Sequence, residues 1–479
     1  MRYSPLLTDL YELTMLAGYL EEGMDGKRAV FDLYFRTNPF EGGYAVFAGL
    51  EPALDFLEGL RFSDDELVYL AGLGLFKPRF IDYLRGFSFH GKVTAPPEGT
   101  LVFAGEPLLT VEATLAEAQF VETALLNIIN FQTLAATKAA RICHAANGAQ
   151  VVEFGLRRAQ GPDGGLTASR AACVGGCEGT SNVLAGKQFG LPVRGTQAHS
   201  WIQAFPDELA AFRAYAEVFP ESTILLVDTY DTLRSGIPHA ITVARELRVR
   251  GHELRGIRID SGDLAYLSRE ARRMLDEAGF EGVKIVVSNE MNEFVIESVR
   301  GEGGRVDIYG VGTSLATCAG AGGGALGGIY KLVEIEGKPK LKITGDIAKS
   351  TLPGKKQVLR FVGPSGAFIQ DVVCLQDELI KGGDTVYDPA NPLRHTTIPL
   401  DARMTELRAV VMADGRRTAP RESLDSMTAR CKGEISRLPS GCLRLINPHR
   451  YKVSISDRLK CLRGTLIEEL EKRIMEHEK

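Results

Sequence analysis

The sequence predicts an α/β protein built on a parallel sheet, with an α+β segment ahead of it. Three observations predict this. Between residues 151 and 309 short apolar runs alternate with amphipathic stretches, the pattern of βαβ units. Each apolar run ends in polar residues, which parallel strands collect along one edge. The 52 glycines gather in short pieces, several directly after strand-like runs, as in α/β sites that bind phosphate.

Leu6, Leu10, Leu13, Leu16 and Leu20 recur at helical spacing, so a helix is expected over Leu6 to Leu20. Ala29 to Arg36 alternates like a strand. Gly91 to Ala95 and Leu101 to Val111 read as further strands, parted by Pro96-Pro97 and Gly105. Leu115 to Ala146 has almost no breakers and predicts one or two long buried helices. The strands that follow are Val151–Phe154, Thr223–Val227, Gly256–Ile259, Lys284–Val287 and Val306–Tyr309. The helices between and around them are 167–189, 206–219, 237–250, 264–279 and 290–300. Five polar strand ends of similar weight suit a barrel better than a doubly wound sheet. From Tyr330 strand-like segments return: Tyr330–Glu336, Lys340–Thr344, Val358–Val362 and Phe368–Leu375. Asp384 to Pro399 reads as a Pro-containing loop, and the tail as a strand over Tyr451–Ser456 and a helix over Asp457–Glu476.

A chain of 479 residues is too long for one core of ordinary size. A formal charge of −5 argues against duplex DNA as the main partner. No apolar run approaches the ~20 residues of a membrane helix, and Met1-Arg2-Tyr3-Ser4-Pro5 does not lead into a signal-peptide core. The expectation is a cytoplasmic protein whose eight cysteines are reduced.

The polar strand ends carry the candidate chemistry. Arg157 and Arg158 follow the first strand and precede Gly161-Pro-Asp-Gly-Gly165, read as a loop. Arginine suits bidentate binding of phosphate or carboxylate, although either could pair with Glu153. Asp228-Thr-Tyr-Asp231 and Asp260-Ser-Gly-Asp263 are acidic turns that can bind Mg²⁺, hold ribose hydroxyls or orient a histidine. Asp263 is read as a helix cap, and Asp228 and Asp260 as functional. Gly310-Val-Gly-Thr313 lets backbone N–H groups approach a phosphate, with Thr313 adding a hydroxyl. His199 stands alone, without ligand spacing to another histidine, and there is no P-loop. Cys431, Cys442 and Cys461 are too widely spaced for a zinc knuckle, although Cys374 could supply a fourth ligand.

Several blocks together resemble the nicotinate phosphoribosyltransferases. They are Thr8-Asp-Leu-Tyr-Glu-Leu-Thr14, Glu153-Phe-Gly-Leu-Arg-Arg-Ala-Gln-Gly-Pro-Asp-Gly-Gly165, Gly195-Thr-Gln-Ala-His-Ser200, Arg258-Ile-Asp-Ser-Gly-Asp263, Gly310-Val-Gly-Thr-Ser314, Leu326-Gly-Gly-Ile-Tyr-Lys-Leu332 and Gly354-Lys-Lys-Gln-Val358. The resemblance implies an irregular α/β barrel with an N-terminal domain completed by C-terminal strands. The expected domains are 1–113, the barrel 114–335, and a C-terminal region 336–479 that partly returns to the first. It implies a homodimer with shared sites and transfer of phosphoribose from phosphoribosyl pyrophosphate to nicotinate, coupled to ATP hydrolysis with Mg²⁺. It implies that His199 is phosphorylated by ATP, that Asp228 orients it and that Asp260 holds ribose hydroxyls. Thr196 and Arg258 would contact nicotinate, between Tyr11 of the neighbouring subunit and Phe154. Gly312 and Thr313 would take the ribose phosphate, and Arg157 and Arg158 the nicotinate carboxylate or pyrophosphate. The Gly-rich stretch Cys318–Ala325 is longer than the family's counterpart.

Two other readings fit less well. A nicotinamide phosphoribosyltransferase would carry an acid near Gly186-Lys-Gln-Phe-Gly190, which has none. A metal-dependent barrel hydrolase built on Asp228, Asp231, Asp260 and Asp263 would lack histidine ligands.

Overall fold

The computed structural model describes residues 3–342, 351–391 and 393–477. The chain divides into two compact units, Met1–Leu134 with Ala325–Lys479, and Ala135–Gly324. The sequence predicts mixed α/β structure, and both units have it.

The second unit is built on a five-stranded, all-parallel sheet. Its spatial order is Gln150–Glu153, Ile308–Val311, Lys284–Val287, Gly256–Ile259, Ile224–Leu226. Single-residue parallel bridges, Glu153 to Thr180 and Thr180 to Val193, continue it past Gln150–Glu153. Apolar strand residues with helices Ile237–Val249 and Leu264–Glu277 between them leave the chain one economical arrangement, parallel strands covered by crossover helices.

Two expectations need correcting here. The strand expected at Val306–Tyr309 lies two residues later, so Gly310 and Val311 belong to the strand, opposite Val152 and Glu153. The ring of Phe154 occupies the space beside Gly310, where a Cβ would come within 2.6 Å of it. The helix expected over 167–189 is two helices, Gly161–Val174 and Val183–Phe189. It starts early because Pro162, with its fixed φ, sits in the first turn, so the Gly161–Gly165 segment is helical rather than loop. It stops at Gly175-Gly176, where Gly176 takes φ +115°.

The first unit joins the two ends of the chain. Its seven-stranded sheet pairs Arg28–Phe35 with Leu109–Thr114 on one side and with Gly328–Ile335 on the other. Phe31 and Tyr330 stack with ring centroids 4.9 Å apart, and both are buried. The strand expected at Tyr330–Glu336 is thus present; that expected at Lys340–Thr344 runs outside the described residues. The tail supplies Ala409–Ala413 to the same sheet, with Met412 buried in the core. A second, six-stranded sheet contains Lys356–Val362, Phe368–Leu375 and Val453–Ile455. The expected loop Asp384 to Pro399 carries a hairpin of that sheet, Thr385–Tyr387 against His395–Thr397. Its prolines fall outside the paired residues, and Val386 and Ile398 are fully buried. Helices Leu50–Glu58, Asp64–Gly72, Pro78–Arg85 and Leu424–Ile435 add to the expected elements.

Among the described residues no cluster of His, Cys, Asp and Glu could hold a metal, so Cys374, Cys431, Cys442 and Cys461 form no zinc site there. No described helix is long and apolar enough to cross a membrane.

Candidate active site

Three neighbouring strands of the parallel sheet run into Asp228, Asp260 and Ser288. The register places Leu226 beside Arg258, and Ile259 beside Val287. The ladder extends one step further: Val227 N–H donates to Arg258 C=O, and Ser288 N–H to Ile259 C=O. Asp260 and Ser288 therefore emerge side by side.

Arg258 sits within its strand, between Ile257 and Ile259, which are fully buried. Strand alternation sends its side chain to the opposite face. There Nε donates to Ser288 Oγ at 2.8 Å, and Nη1 to Thr196 Oγ1 at 3.2 Å and Gln197 C=O at 3.3 Å. Nη2 donates to Asp260 Oδ1 at 3.0 Å. The Phe154 ring centroid lies 5.9 Å from the guanidinium carbon. The group is a fixed cation next to an aromatic face, held from four directions.

Asp260 is tied in turn. Its Oδ1 also accepts the Ser288 hydroxyl, and its backbone N–H donates to Asp228 Oδ2 at 2.8 Å. Burial pushes its carboxyl up, but the Ser288 hydroxyl and the Arg258 guanidinium outweigh burial and hold it below the usual carboxylate value. It is ionised at neutral pH. Asp228 Oδ2 also accepts the Ser261 hydroxyl at 2.7 Å, while its Oδ1 is buried with no hydrogen-bond partner.

His199 opens the short helix His199–Gln203. Its Nε2 faces both carboxylates, 3.8 Å from Asp260 Oδ2 and 4.0 Å from Asp228 Oδ1. Both distances exceed a hydrogen bond. Its Nδ1 is 3.1 Å from Thr229 Oγ1. Asp228, expected to take an N–H of this ring, gives Oδ2 to Asp260 and Ser261 and turns its unpartnered Oδ1 to Nε2 at 4.0 Å, while Thr229 is at hydrogen-bond distance from Nδ1.

Arg157 and Arg158 form a short turn after Gln150–Glu153, and both are exposed. Neither pairs with Glu153, which is buried and accepts from Ser169 Oγ at 2.9 Å, Thr180 Oγ1 at 2.5 Å and Gly155 N–H. Gly312 and Thr313 follow the adjacent strand, so these two turns are neighbours. Asp263 caps its helix by accepting Tyr266 N–H, and Asp231 accepts Leu233 and Arg234 N–H.

Sequence reasoning did not single out Ser288, Thr229 or the Gln197 carbonyl. Ser288 had a usable signal: it occupies on its strand the position Asp260 occupies on the next.

Tyr11 belongs to the other unit, in the first turn of helix Leu10–Glu21, and is 44% exposed. Beside it Glu12 is fully buried. One of its oxygens accepts Gln119 Nε2 at 2.8 Å and the other has no hydrogen-bond partner. Burial pushes the Glu12 carboxyl up to about 7, with Glu122 adding repulsion against the Gln119 bond. The folded state therefore holds this proton more tightly than the unfolded state. The stability it contributes is fully present below the ordinary glutamate pKa and is lost as pH rises through about 7. Glu12→Gln is expected to match wild type in thermal melts at pH 4 and to melt higher at pH 8. A lower melting temperature at pH 8 would contradict this.

An anchored guanidinium, paired carboxylates, a tethered histidine and exposed arginines along the carboxyl edge of a parallel sheet define an α/β enzyme site for anionic substrates. The chain matches the models of the nicotinate phosphoribosyltransferase N-terminal domain over residues 6–130, the family proper over 149–362 and the C-terminal domain over 355–463. It belongs to the nicotinate phosphoribosyltransferase family. It is 42% identical to the nicotinate phosphoribosyltransferase of Bacillus subtilis (strain 168) over 98% of this chain and 96% of that one. It is 38% identical to that of Caenorhabditis elegans, over 95% and 92%. The crystal structure of human nicotinic acid phosphoribosyltransferase superposes with a TM-score of 0.85 at 34% identity, covering 96% of this chain and 99% of that one.

Proposed function

We propose that the protein transfers the phosphoribosyl group of phosphoribosyl pyrophosphate to nicotinate. The products are nicotinate mononucleotide and pyrophosphate, in NAD salvage, coupled to ATP hydrolysis through phosphorylation of His199. The observation that carries this reading is Arg258, fixed beside the Phe154 ring and Thr196. A flat aromatic ring bearing one carboxylate is the ligand such a pair recognises. The pyridine nitrogen is itself nucleophilic, so the site needs no general base.

Displacing pyrophosphate from the anomeric carbon leaves positive charge on the ribose and negative charge on the leaving group. Ionised Asp260, with Oδ2 turned away from Arg258, suits the ribose hydroxyls and the developing cation. Gly312 and Thr313 suit the 5′-phosphate. Arg157 and Arg158, exposed and unpaired with Glu153, suit the pyrophosphate. Two carboxylates, one with a buried unpartnered oxygen, fit a Mg²⁺ whose remaining ligands are substrate oxygens. When bound, that ion would offset charge on the pyrophosphate.

The irregular barrel is part of the same proposal. Its support is the pairing of the first strand, Gln150–Glu153, with the last, Ile308–Val311. Singly wound strands make that pairing when they close on themselves. Exposed Tyr11 supports a homodimer in which it stacks on the partner's pyridine site. Eight free cysteines suit the cytoplasm.

The test is phosphoribosyl transfer measured with nicotinate and with nicotinamide, with and without ATP. Strong preference for nicotinate and stimulation by ATP are expected; equal use of nicotinamide would overturn the substrate assignment. Arg258→Ala is expected to raise KM for nicotinate about ten- to a hundredfold, the cost of one charged hydrogen bond, ~1.5–3 kcal/mol. An unchanged KM would remove Arg258 from the pyridine site.

A further inference from the structure

We infer that Thr229 is a positioning residue for His199; the inference rests on the reading that His199 accepts a phosphoryl group. Among the described residues three polar groups face the His199 ring. Asp260 Oδ2 and Asp228 Oδ1 face Nε2 at 3.8 and 4.0 Å, too far to hold it by hydrogen bonds. Among the described residues only Thr229 is within reach, with Oγ1 3.1 Å from Nδ1. Asp228 does not replace it: Oδ2 is committed to Asp260 N–H and the Ser261 hydroxyl, and the unpartnered Oδ1 faces Nε2 rather than Nδ1.

The side chain of His199 is 40% exposed, so packing alone does not fix its ring. A neutral imidazole carries one N–H and one lone pair. Two carboxylates facing Nε2 favour the proton there, since a lone pair in that place would meet their negative charge. Nδ1 then carries the lone pair, and the Thr229 hydroxyl donates to it. The hydroxyl thus fixes the ring plane and the tautomer that keeps the nucleophilic lone pair on Nδ1; its hydrogen bond to that lone pair is given up as the bond to phosphorus forms and the bond from phosphorus to the ADP oxygen breaks. A hydroxyl can also turn and accept, so the tether survives when the ring becomes an imidazolium. Thr229 is set for this by the chain: it directly follows Asp228, whose side chain is anchored at the sheet edge by Asp260 N–H and the Ser261 hydroxyl.

The experiment compares Thr229→Val, which keeps the branched shape, with Thr229→Ser, which keeps the hydroxyl. In ¹⁵N-histidine-labelled protein without ATP, wild-type His199 is expected to show a protonated Nε2 and a hydrogen-bonded, unprotonated Nδ1. The valine variant is expected to shift the Nδ1 resonance towards that of a free lone pair or mix the tautomers; the serine variant is expected to keep the wild-type pattern. With ATP, the valine variant should lose about tenfold in kcat for ATP hydrolysis, the upper range for one neutral hydrogen bond. KM for ATP should change less than twofold, and the serine variant should recover most of the loss. Valine resonances and kcat equal to wild type would overturn the proposal, as would a serine variant as impaired as valine. If wild type neither hydrolyses ATP nor carries phosphate, the phosphohistidine reading fails, and the ATP-free resonances still decide whether Thr229 holds the ring.

Discussion

His199→Ala is expected to abolish ATP hydrolysis while leaving slow, ATP-independent phosphoribosyl transfer. The two activities separate because they use different groups. In the proposed site Arg258, Thr196 and Phe154 recognise nicotinate, and Arg258 does not need the imidazole for its place: it is held by Ser288, Thr196, Gln197 and Asp260. Phosphoryl transfer from ATP requires a nucleophile, and His199 is the one placed between Thr229 and the two carboxylates. Once phosphorylated it would add close to two negative charges near the ribose, favouring a cationic transition state. The measurement is incubation with γ-labelled ATP, looking for acid-labile, base-stable label on the protein. Label on wild type and none on His199→Ala is the expected result. An unlabelled wild type, or an equally labelled variant, would end the phosphohistidine assignment.

The strands around this site were legible in the sequence because each is a short apolar run closed by polar residues. Gly256–Ile259 and Lys284–Val287 match the expected bounds. Ile308–Val311 was misplaced because Gly310 looks like a turn residue. Only the Phe154 ring, brought in by the neighbouring strand, makes a glycine necessary inside the ladder. The acids and His199 were legible as chemistry, but their partners were not. Hydrogen bonding between Asp228 and Asp260, which takes Asp228 Oδ2 and leaves Oδ1 towards the histidine, depends on strand register rather than on local pattern. The helices between Leu50 and Arg85 escaped because their amphipathic patterns are brief, and their capping signals, such as the Ser63–Glu66 box, are local. The hairpin near residues 385–397 was obscured by its prolines, which lie between the paired segments.

Glu293→Ala is expected to destabilise the Ala135–Gly324 unit by about 3–5 kcal/mol, the cost of stripping a buried charge of its counter-ion. Glu293 begins helix Glu293–Gly301, behind the Asn292 cap, and its side chain is 1% exposed. Lys138 Nζ lies 2.6 Å from Oε2, and Arg141 Nε 3.0 Å from Oε1. Both cations are buried as well, one turn apart on helix Glu122–Ala146. Burial pushes the Lys138 amine below its ordinary value, and Glu293 opposes that push. Without the carboxylate, Lys138 gives up its proton or draws in water, and Arg141, which cannot deprotonate, keeps a charge that burial penalises. The loss should appear as a fall in melting temperature of roughly 6–20 °C for a domain of this size, at ~2–4 °C per kcal/mol. Lys138→Met in the same chain should recover part of it, by removing one of the two buried cations that lose this carboxylate. A shift under about 2 °C for Glu293→Ala, equivalent to roughly 1 kcal/mol or less, would mean that the cations are already compensated by other groups.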